Sequence, residues 1–190
     1  LAQSLGSADY GELHRVSIEE PARFWRAVVA DLGIPLERDW DAVLDESRGI
    51  EWTTWFVGAQ LNIADACVHR WARERPNDEA AVWVPEEGNR RSLTWAELSH
   101  DVRRLAEALL RLGVGEGDAV GIFLPMAPEA AIVSHACAHI GAVQVPIFSG
   151  FAGPAVSSRL TDAAVKVVLT ADASYRRGRL VPMKEVLDEA

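Results

Sequence analysis

The stretch Gly113–Phe151 constrains the fold of this chain more than any other. It contains two short apolar runs, Val120–Leu124 and Ala142–Ile147, in which polar and apolar residues do not alternate. Strands that are buried on both faces, as in a parallel sheet, have this pattern. A helix is predicted between them over Pro128–Ile140, because proline suits the first turn of a helix and Gly141 suits its end. The order strand, helix, strand is that of a βαβ crossover.

A third strand is predicted over Val165–Thr170, after a second helix over about Pro154–Ala164. The sequence therefore predicts an α/β fold: a doubly wound, mostly parallel sheet with flanking helices. Ligands of such sheets bind beyond the carboxyl ends of the strands, where Phe148–Phe151 and Arg176–Arg179 lie. A glycine and a helix start suit the first segment to an anion, and three arginines suit the second to phosphates. The alternative interpretation is a simple turn for the first segment and a solvated loop for the second.

Composition limits the classes of partner. The chain has 190 residues and a formal net charge of -9, which argues against general binding of nucleic acids or anionic membranes. No signal peptide or apolar membrane span is visible, so we expect a cytoplasmic protein. Cys67 and Cys137 fall in apolar helical contexts, and both are expected to be buried thiols in a reducing compartment. The chain begins at Leu1 rather than Met, and we expect a piece of something longer or a processed product.

Two parts are predicted, residues 1–60 and residues 61–190. Residues 1–16 are weakly patterned and expected to be loose, and a capping box at Ser17–Glu20 predicts a helix that ends near Leu32. Residues 36–60 show no clear period but are rich in aromatic side chains. Such side chains are costly to leave in water. We therefore predict an arm that packs on the α/β domain.

The start of the second part is predicted in more detail. A helix is expected from Ile63 to about Arg75, then a strand over Ala80–Val84, a turn over residues 86–91 and an antiparallel return over Arg91–Leu93. A capping box at Thr94 and Glu97 opens the clearest helix of the chain. Its apolar stripe is Leu98, Val102, Leu105, Leu109 and Leu112.

Two motifs are better explained by structure than by chemistry. The glycines of Gly113–Gly117 follow a helix and precede a strand, whereas a dinucleotide fingerprint follows a strand and opens a helix. His135 and His139 share a helix face and could bind a metal, but no further ligand lies nearby in sequence. We therefore predict packing or surface histidines, no metal site and no catalytic residue.

Eight segments, which lie from about residue 17 onward in the same order and spacing as in a known family, carry a resemblance to that family. They are Trp55–Asn62, Leu93–Leu98, Gly117–Met126, Pro128–Ala130, Ile140–Ala142, Phe148–Phe151, Thr170–Asp172 and Arg176–Arg179. With them the chain resembles the amino-terminal part of AMP-forming acyl-CoA synthetases. The resemblance is greatest to the acetyl- and propionyl-CoA synthetase branch of the adenylate-forming superfamily.

The resemblance implies a two-step ligase reaction. A carboxylate, expected to be a short-chain acid, reacts with ATP and Mg²⁺ to give an acyl-adenylate, and the CoA thiol then displaces AMP. It also implies CoA contacts at Phe148, Ser149, Gly150, Arg176 and Arg179. Serine occupies position 149, where that branch usually has glycine. Gly178 is expected to let both arginines face one way near Phe148.

The resemblance places the phosphate loop, the adenine and ribose contacts and the catalytic lysine of the family after Ala190. The partners implied are thus CoA, ATP, a carboxylic acid and the remainder of the same chain. This part alone is expected to be inactive. Two alternatives stay open: a fragment of another adenylate-forming enzyme, such as a fatty acyl-AMP ligase or an amino-acid-activating domain, and a non-catalytic CoA- or nucleotide-binding module.

Overall fold

A computed structural model describes residues 1–86 and 88–190 and divides the chain into two units, residues 1–62 and residues 63–190. The first unit contains two helices and an antiparallel pair of strands. These elements are α1 (Tyr10–Glu19), α2 (Pro21–Leu32), β1 (Ala42–Asp45) and β2 (Thr54–Val57).

The helical start of the first unit corrects two predictions. Residues 1–16 are not loose, because α1 begins at Tyr10, where the Asp9 carboxylate accepts a hydrogen bond from the backbone N–H of Glu12 at 2.8 Å. Ser17 is not a helix cap. It lies inside α1, and its hydroxyl donates to the carbonyl of His14. A separate helix begins at Pro21, since proline cannot supply the N–H that would continue α1.

Several aromatic side chains of the first unit meet at β2, a strand that was not predicted. The Trp55 ring meets that of Trp25 of α2 at 6.0 Å, and Trp40 meets Phe56 at 5.3 Å. Trp52 and Trp55 are exposed, whereas Trp40 and Phe56 are half-buried. Packing of residues 1–60 on the α/β domain stays a prediction.

The second unit begins with a helix that has a π turn at Asp65–His69 and continues as α3 (Arg70–Glu74). The remaining strands are β3 (Glu79–Trp83), β4 (Arg91–Thr94), β5 (Ala119–Phe123), β6 (Val143–Pro146), β7 (Val167–Thr170), β8 (Ser174–Arg176) and β9 (Arg179–Val181). The remaining helices are α4 (Trp95–Arg111), α5 (Pro128–His139), α6 (Gly153–Asp162) and α7 (Met183–Asp188).

The parallel sheet has the strand order β6-β5-β7, so β5 is central. From β5 the chain passes through α5 to β6 at one edge of the sheet. It then passes through α6 to β7 at the other edge. Two cores result. Val120 and Ile122 pack in a cluster with residues of α4 and α5, whereas Phe123 packs with Val156 of α6 and Met183 of α7. Successive side chains of one strand thus serve opposite faces, which confirms a doubly wound α/β arrangement.

Helix α4 confirms its predicted start. The Thr94 hydroxyl accepts a hydrogen bond from the Glu97 N–H at 3.2 Å, and the Glu97 carboxylate accepts one from the Thr94 N–H at 2.8 Å. Leu98, Val102 and Leu109 of the predicted stripe are buried, but Leu112 follows the helix and is exposed. Strands β3 and β4 form the predicted antiparallel pair. The turn between them includes residue 87, which lies outside the described residues.

The two cysteines differ, contrary to prediction. Cys137 is buried in the core beside α4, and burial raises the pKa of its thiol to about 11. Cys67 is exposed, because it lies on the outer side of the π turn, next to the fully buried Val68. Both are free thiols. In the part of the chain that the structure describes, no helix is long and apolar enough to span a membrane.

His69 is a buried polar residue that connects three helical segments. Its Nδ1 lies 2.8 Å from the Ser99 hydroxyl of α4, and its Nε2 lies 3.2 Å from Nδ1 of His139 of α5. Burial, together with the positive charge of Arg103 and the neighbouring His139, lowers the pKa of His69 from 6.5 to about 4. The ring is therefore neutral in the folded protein at neutral pH.

This neutral histidine predicts an acid-sensitive fold. Because the folded pKa lies below the unfolded one, its stabilisation is complete above about pH 6.5 and is lost as the pH falls toward 4. We expect the free energy of unfolding to drop by roughly 2 kcal/mol between about pH 7 and pH 5. Urea unfolding at constant ionic strength measures this drop. His69→Gln should flatten it and exposed His100→Gln should not; equal pH slopes for His69→Gln and wild type would contradict the assignment.

Candidate active site

A groove of about 1050 Å³ lies beyond the carboxyl ends of the parallel strands, entirely within the second unit. It is lined by Leu124, just after β5, by Leu169 of β7, and by residues of α4 and α5. The segment after β3 and the β8 strand complete its rim. The groove therefore occupies the part of a doubly wound sheet where ligands bind.

Two carboxylates of the groove are paired with arginines. Glu129 accepts a hydrogen bond from Arg91 at 2.8 Å, and Asp101 lies 3.7 Å from Arg104. Burial alone would raise the pKa of Glu129, but the hydrogen bond and charge of Arg91 outweigh it and hold that pKa below its usual range. These two arginines therefore each have a carboxylate partner within the protein.

Arg176 is placed differently. Its guanidinium lies over the Phe148 ring, 4.8 Å from the ring centroid, and Ser149 and Arg176 both line the groove. It also passes beside Gly150: a Cβ at that position would lie 1.9 Å from Arg176 Nη1 and 2.9 Å from Phe148 Cε1. The missing side chain of Gly150 thus provides the space in which guanidinium and ring stack. The structure brings Arg176 together with Phe148–Gly150.

Arg179 lies directly opposite Arg176 in the antiparallel pair of β8 and β9. The sequence suggested a loop here, and the hairpin was missed because each strand has only three residues. Opposed residues of a ladder project from the same face, and like charges placed this way repel. Neither arginine forms an ion pair with any of the described residues, and both are exposed. An anion bound between them would relieve this repulsion.

Ser149 does not strain the turn. It is half-buried and faces the groove, and its φ is not positive, so the backbone there does not demand glycine. The serine hydroxyl is a donor and acceptor that glycine lacks.

Glu86 is a residue of the groove that the sequence analysis did not select. Its carboxylate lines the groove and accepts hydrogen bonds from the backbone N–H groups of Arg177 and Gly178, at 3.1 and 3.3 Å. No motif could have revealed the contact, since its partners lie 91 and 92 residues further along the chain.

The metal alternative finds no support in what the structure describes. Among residues 1–86 and 88–190, no group of three or more histidine, cysteine or acidic side chains is arranged to hold a metal. His135 Nδ1 lies 2.8 Å from the carbonyl of Ala131 in its own helix, whereas His139 contacts His69. The two histidines thus have separate structural partners.

Comparison with known proteins identifies the family of this chain. The profile of the AMP-binding enzyme family matches residues 68–189, which contain the whole groove. The chain belongs to the AMP-binding enzyme family. Within that family, a second profile, described as the acetyl-coenzyme A synthetase N-terminus, matches residues 10–67. The chain therefore matches the amino-terminal part of an AMP-forming acyl-CoA synthetase.

Individual relatives agree with the family. The chain is 42% identical over 184 residues to the acetyl-coenzyme A synthetase of Deinococcus radiodurans. It is 40% identical over 182 residues to the 3-hydroxypropionyl-coenzyme A synthetase of Sulfurisphaera tokodaii. These matches cover 96% and 95% of this chain but only 28% and 27% of the two relatives.

A solved structure supports the fold. The acetoacetyl-CoA synthetase from Streptomyces lividans matches with a TM-score of 0.91 and 30% identity. The match covers 99% of this chain and 30% of that protein. The predicted fold class and family are both confirmed by these comparisons.

The geometry at Gly150 predicts that a substitution there changes ligand binding without changing the stability of the fold. In Gly150→Ala, the new methyl group must displace the Arg176 guanidinium from the Phe148 ring. Both side chains are exposed, and the φ of Gly150 is not positive, so the change in unfolding free energy should stay within about 0.5 kcal/mol. For a CoA site at these residues, proposed below, this displacement should weaken CoA binding roughly fivefold. Calorimetric titration and thermal unfolding would measure both; unchanged affinity would contradict the role of this close approach.

Proposed function

We propose that this chain is part of an ATP-dependent acyl-CoA ligase and supplies part of its CoA site. The residues proposed to contact CoA are Phe148, Ser149, Gly150, Arg176 and Arg179. The observation that carries the proposal is the pair of opposed arginines, exposed and without a carboxylate partner among the described residues. Arg176 of this pair lines the groove and stacks on the Phe148 ring, whereas Phe148 and Arg179 lie outside the groove lining.

The chemistry of these groups suits CoA. Guanidinium groups hold phosphate oxygens through short, charge-assisted hydrogen bonds, and two arginines on one face can act on the same group. The Phe148 ring is exposed, and together with the guanidinium stacked over it offers a flat surface against which an adenine base can pack. The contrast with Arg91 and Arg104, which already have carboxylate partners, favours Arg176 and Arg179 as the ligand-binding cations.

The reaction proposed for the whole protein has two steps. A carboxylate oxygen attacks the α-phosphorus of Mg²⁺-bound ATP, which forms an acyl-adenylate and releases pyrophosphate. The CoA sulfur then attacks the acyl carbon, and the carbon–oxygen bond to AMP breaks to give the thioester. The relatives named for acetyl and 3-hydroxypropionyl groups support a short-chain acid as substrate.

We further propose that residues 1–190 do not catalyse this reaction alone. Adenylate formation depends on positioning and charge stabilisation around the ATP phosphates. The chain spans little more than a quarter of the length of the curated relatives cited. With acetate, ATP, Mg²⁺ and CoA, pyrophosphate release should equal that of an enzyme-free control. Release well above that control would refute this proposal.

The CoA site itself is tested by titration with CoA. The Arg176→Ala/Arg179→Ala variant should bind at least about tenfold more weakly than the wild type, because each charge-assisted contact is worth more than 1 kcal/mol. Its thermal stability should be unchanged, since both side chains are exposed and form no ion pair with the described residues.

A charge-matched control separates this effect from the loss of general positive charge. Arg75→Ala/Arg111→Ala removes two exposed arginines that do not line the groove. It should bind CoA nearly as well as the wild type. Equal weakening by the two double variants, or no weakening by the first, would count against the proposed site.

A further inference from the structure

Glu86 connects two distant segments of the groove rim. It follows β3, and its two carboxylate oxygens separately accept the N–H groups of Arg177 and Gly178 at the tip of the β8–β9 hairpin. The distances, 3.1 and 3.3 Å, are at the long end for N–H···O hydrogen bonds. The tip is thus held from outside its own hairpin.

The hairpin needs such a contact for a physical reason. Arg177 and Gly178 form a two-residue turn and have φ values of 52° and 68°. Positive φ at both positions is the property of a type I′ turn, which the arginine adopts less readily than glycine. Both turn N–H groups point away from the ladder, and strands of three residues supply few other restraints. A carboxylate that accepts both N–H groups favours this one turn geometry.

The turn geometry determines where the arginines point. Arg176 and Arg179 flank the turn directly and face each other across it. A change in the turn would therefore move Arg176 away from Phe148 and Gly150, which it now contacts. Like-charge repulsion between the arginines acts in the same direction, because it favours opening of the hairpin.

We infer that Glu86 is a positioning residue for the proposed CoA site: it holds the Arg177–Gly178 turn so that Arg176 and Arg179 present both guanidinium groups to a phosphate. The inference rests on the proposed function for the identity of the ligand. The hold on the turn itself rests only on the contacts of Glu86.

The effect of removing Glu86 on CoA affinity has opposite signs if Glu86 acts through its charge and if it acts by holding the turn. Glu86 is a negative charge on the rim of a site for an anion, so its removal should strengthen CoA binding if charge is all that matters. If Glu86 acts by holding the turn, its removal should weaken binding. The two explanations are therefore separated by direction, not by size.

The first experiment needs no ligand. In amide NMR spectra of the chain, Glu86→Ala should shift the Arg177 and Gly178 signals and increase their exchange with water several-fold, because both N–H groups lose their acceptor. The melting temperature should not change, since Glu86 is exposed. Unaltered shifts and exchange rates at these two amides would overturn the inference.

The second experiment titrates CoA by NMR into four forms of the chain. Glu86→Ala should bind about threefold to tenfold more weakly than the wild type. Glu86→Gln, which keeps one carbonyl acceptor but no charge, should lie closer to the wild type. The control Glu74→Ala, which removes an exposed carboxylate outside the groove, should not weaken binding.

Coupling to the arginines completes the test. In the Arg176→Ala/Arg179→Ala background, Glu86→Ala should have no further effect on CoA affinity, because Glu86 acts only through those side chains. A further loss in that background, or tighter binding by Glu86→Ala, would overturn the inference. If the wild type and the double arginine variant bind CoA equally, the proposed function fails, and the amide experiment alone then decides whether Glu86 holds the turn.

Discussion

The burial of β5 between two cores is the interaction on which the rest of the second unit depends. Phe123 is fully buried on one face, and Val120 is fully buried on the other. Each such side chain contributes roughly 1.5–3 kcal/mol by leaving water. Gly121 lies between them, and a Cβ there would come within 3.1 Å of Leu160 and 3.2 Å of Val168, so its absence lets α6 and β7 approach the strand closely.

The candidate site is a consequence of this sheet. Parallel strands end at the same edge, so the segments after β6 and β7 meet even though they are far apart in the chain. The rigid sheet supplies the position, and the short segments beyond it supply the chemistry. Phe148 and Arg176 are exposed side chains that stack on each other. Their stacking depends on Gly150, which lies beside both and has no side chain to block the contact. The Glu86 contact adds a restraint to the element that the sheet holds least directly, the β8–β9 hairpin.

Local sequence signals predicted the structure well where they agreed with packing. The Thr94–Glu97 capping box formed because a strong apolar stripe follows it and is buried, first beside Val68 and then against the parallel sheet. The equivalent pattern at Ser17 did not form a cap, because Asp9 begins a helix earlier and Pro21 ends it. Cys67 shows the same limit: an apolar neighbourhood in sequence does not tell which side of a π turn faces solvent.

The sequence by itself determined the α/β class, the parallel strands and the segments at their carboxyl ends, because apolar runs, prolines and glycines act within a few residues. It also supplied the arginines at positions 176 and 179. Only the tertiary structure decided that these arginines oppose each other, that Arg176 stacks on Phe148, and that Glu86 accepts two N–H groups of their turn. Those contacts join residues up to 92 positions apart, and such pairing depends on how the strands are ordered in space.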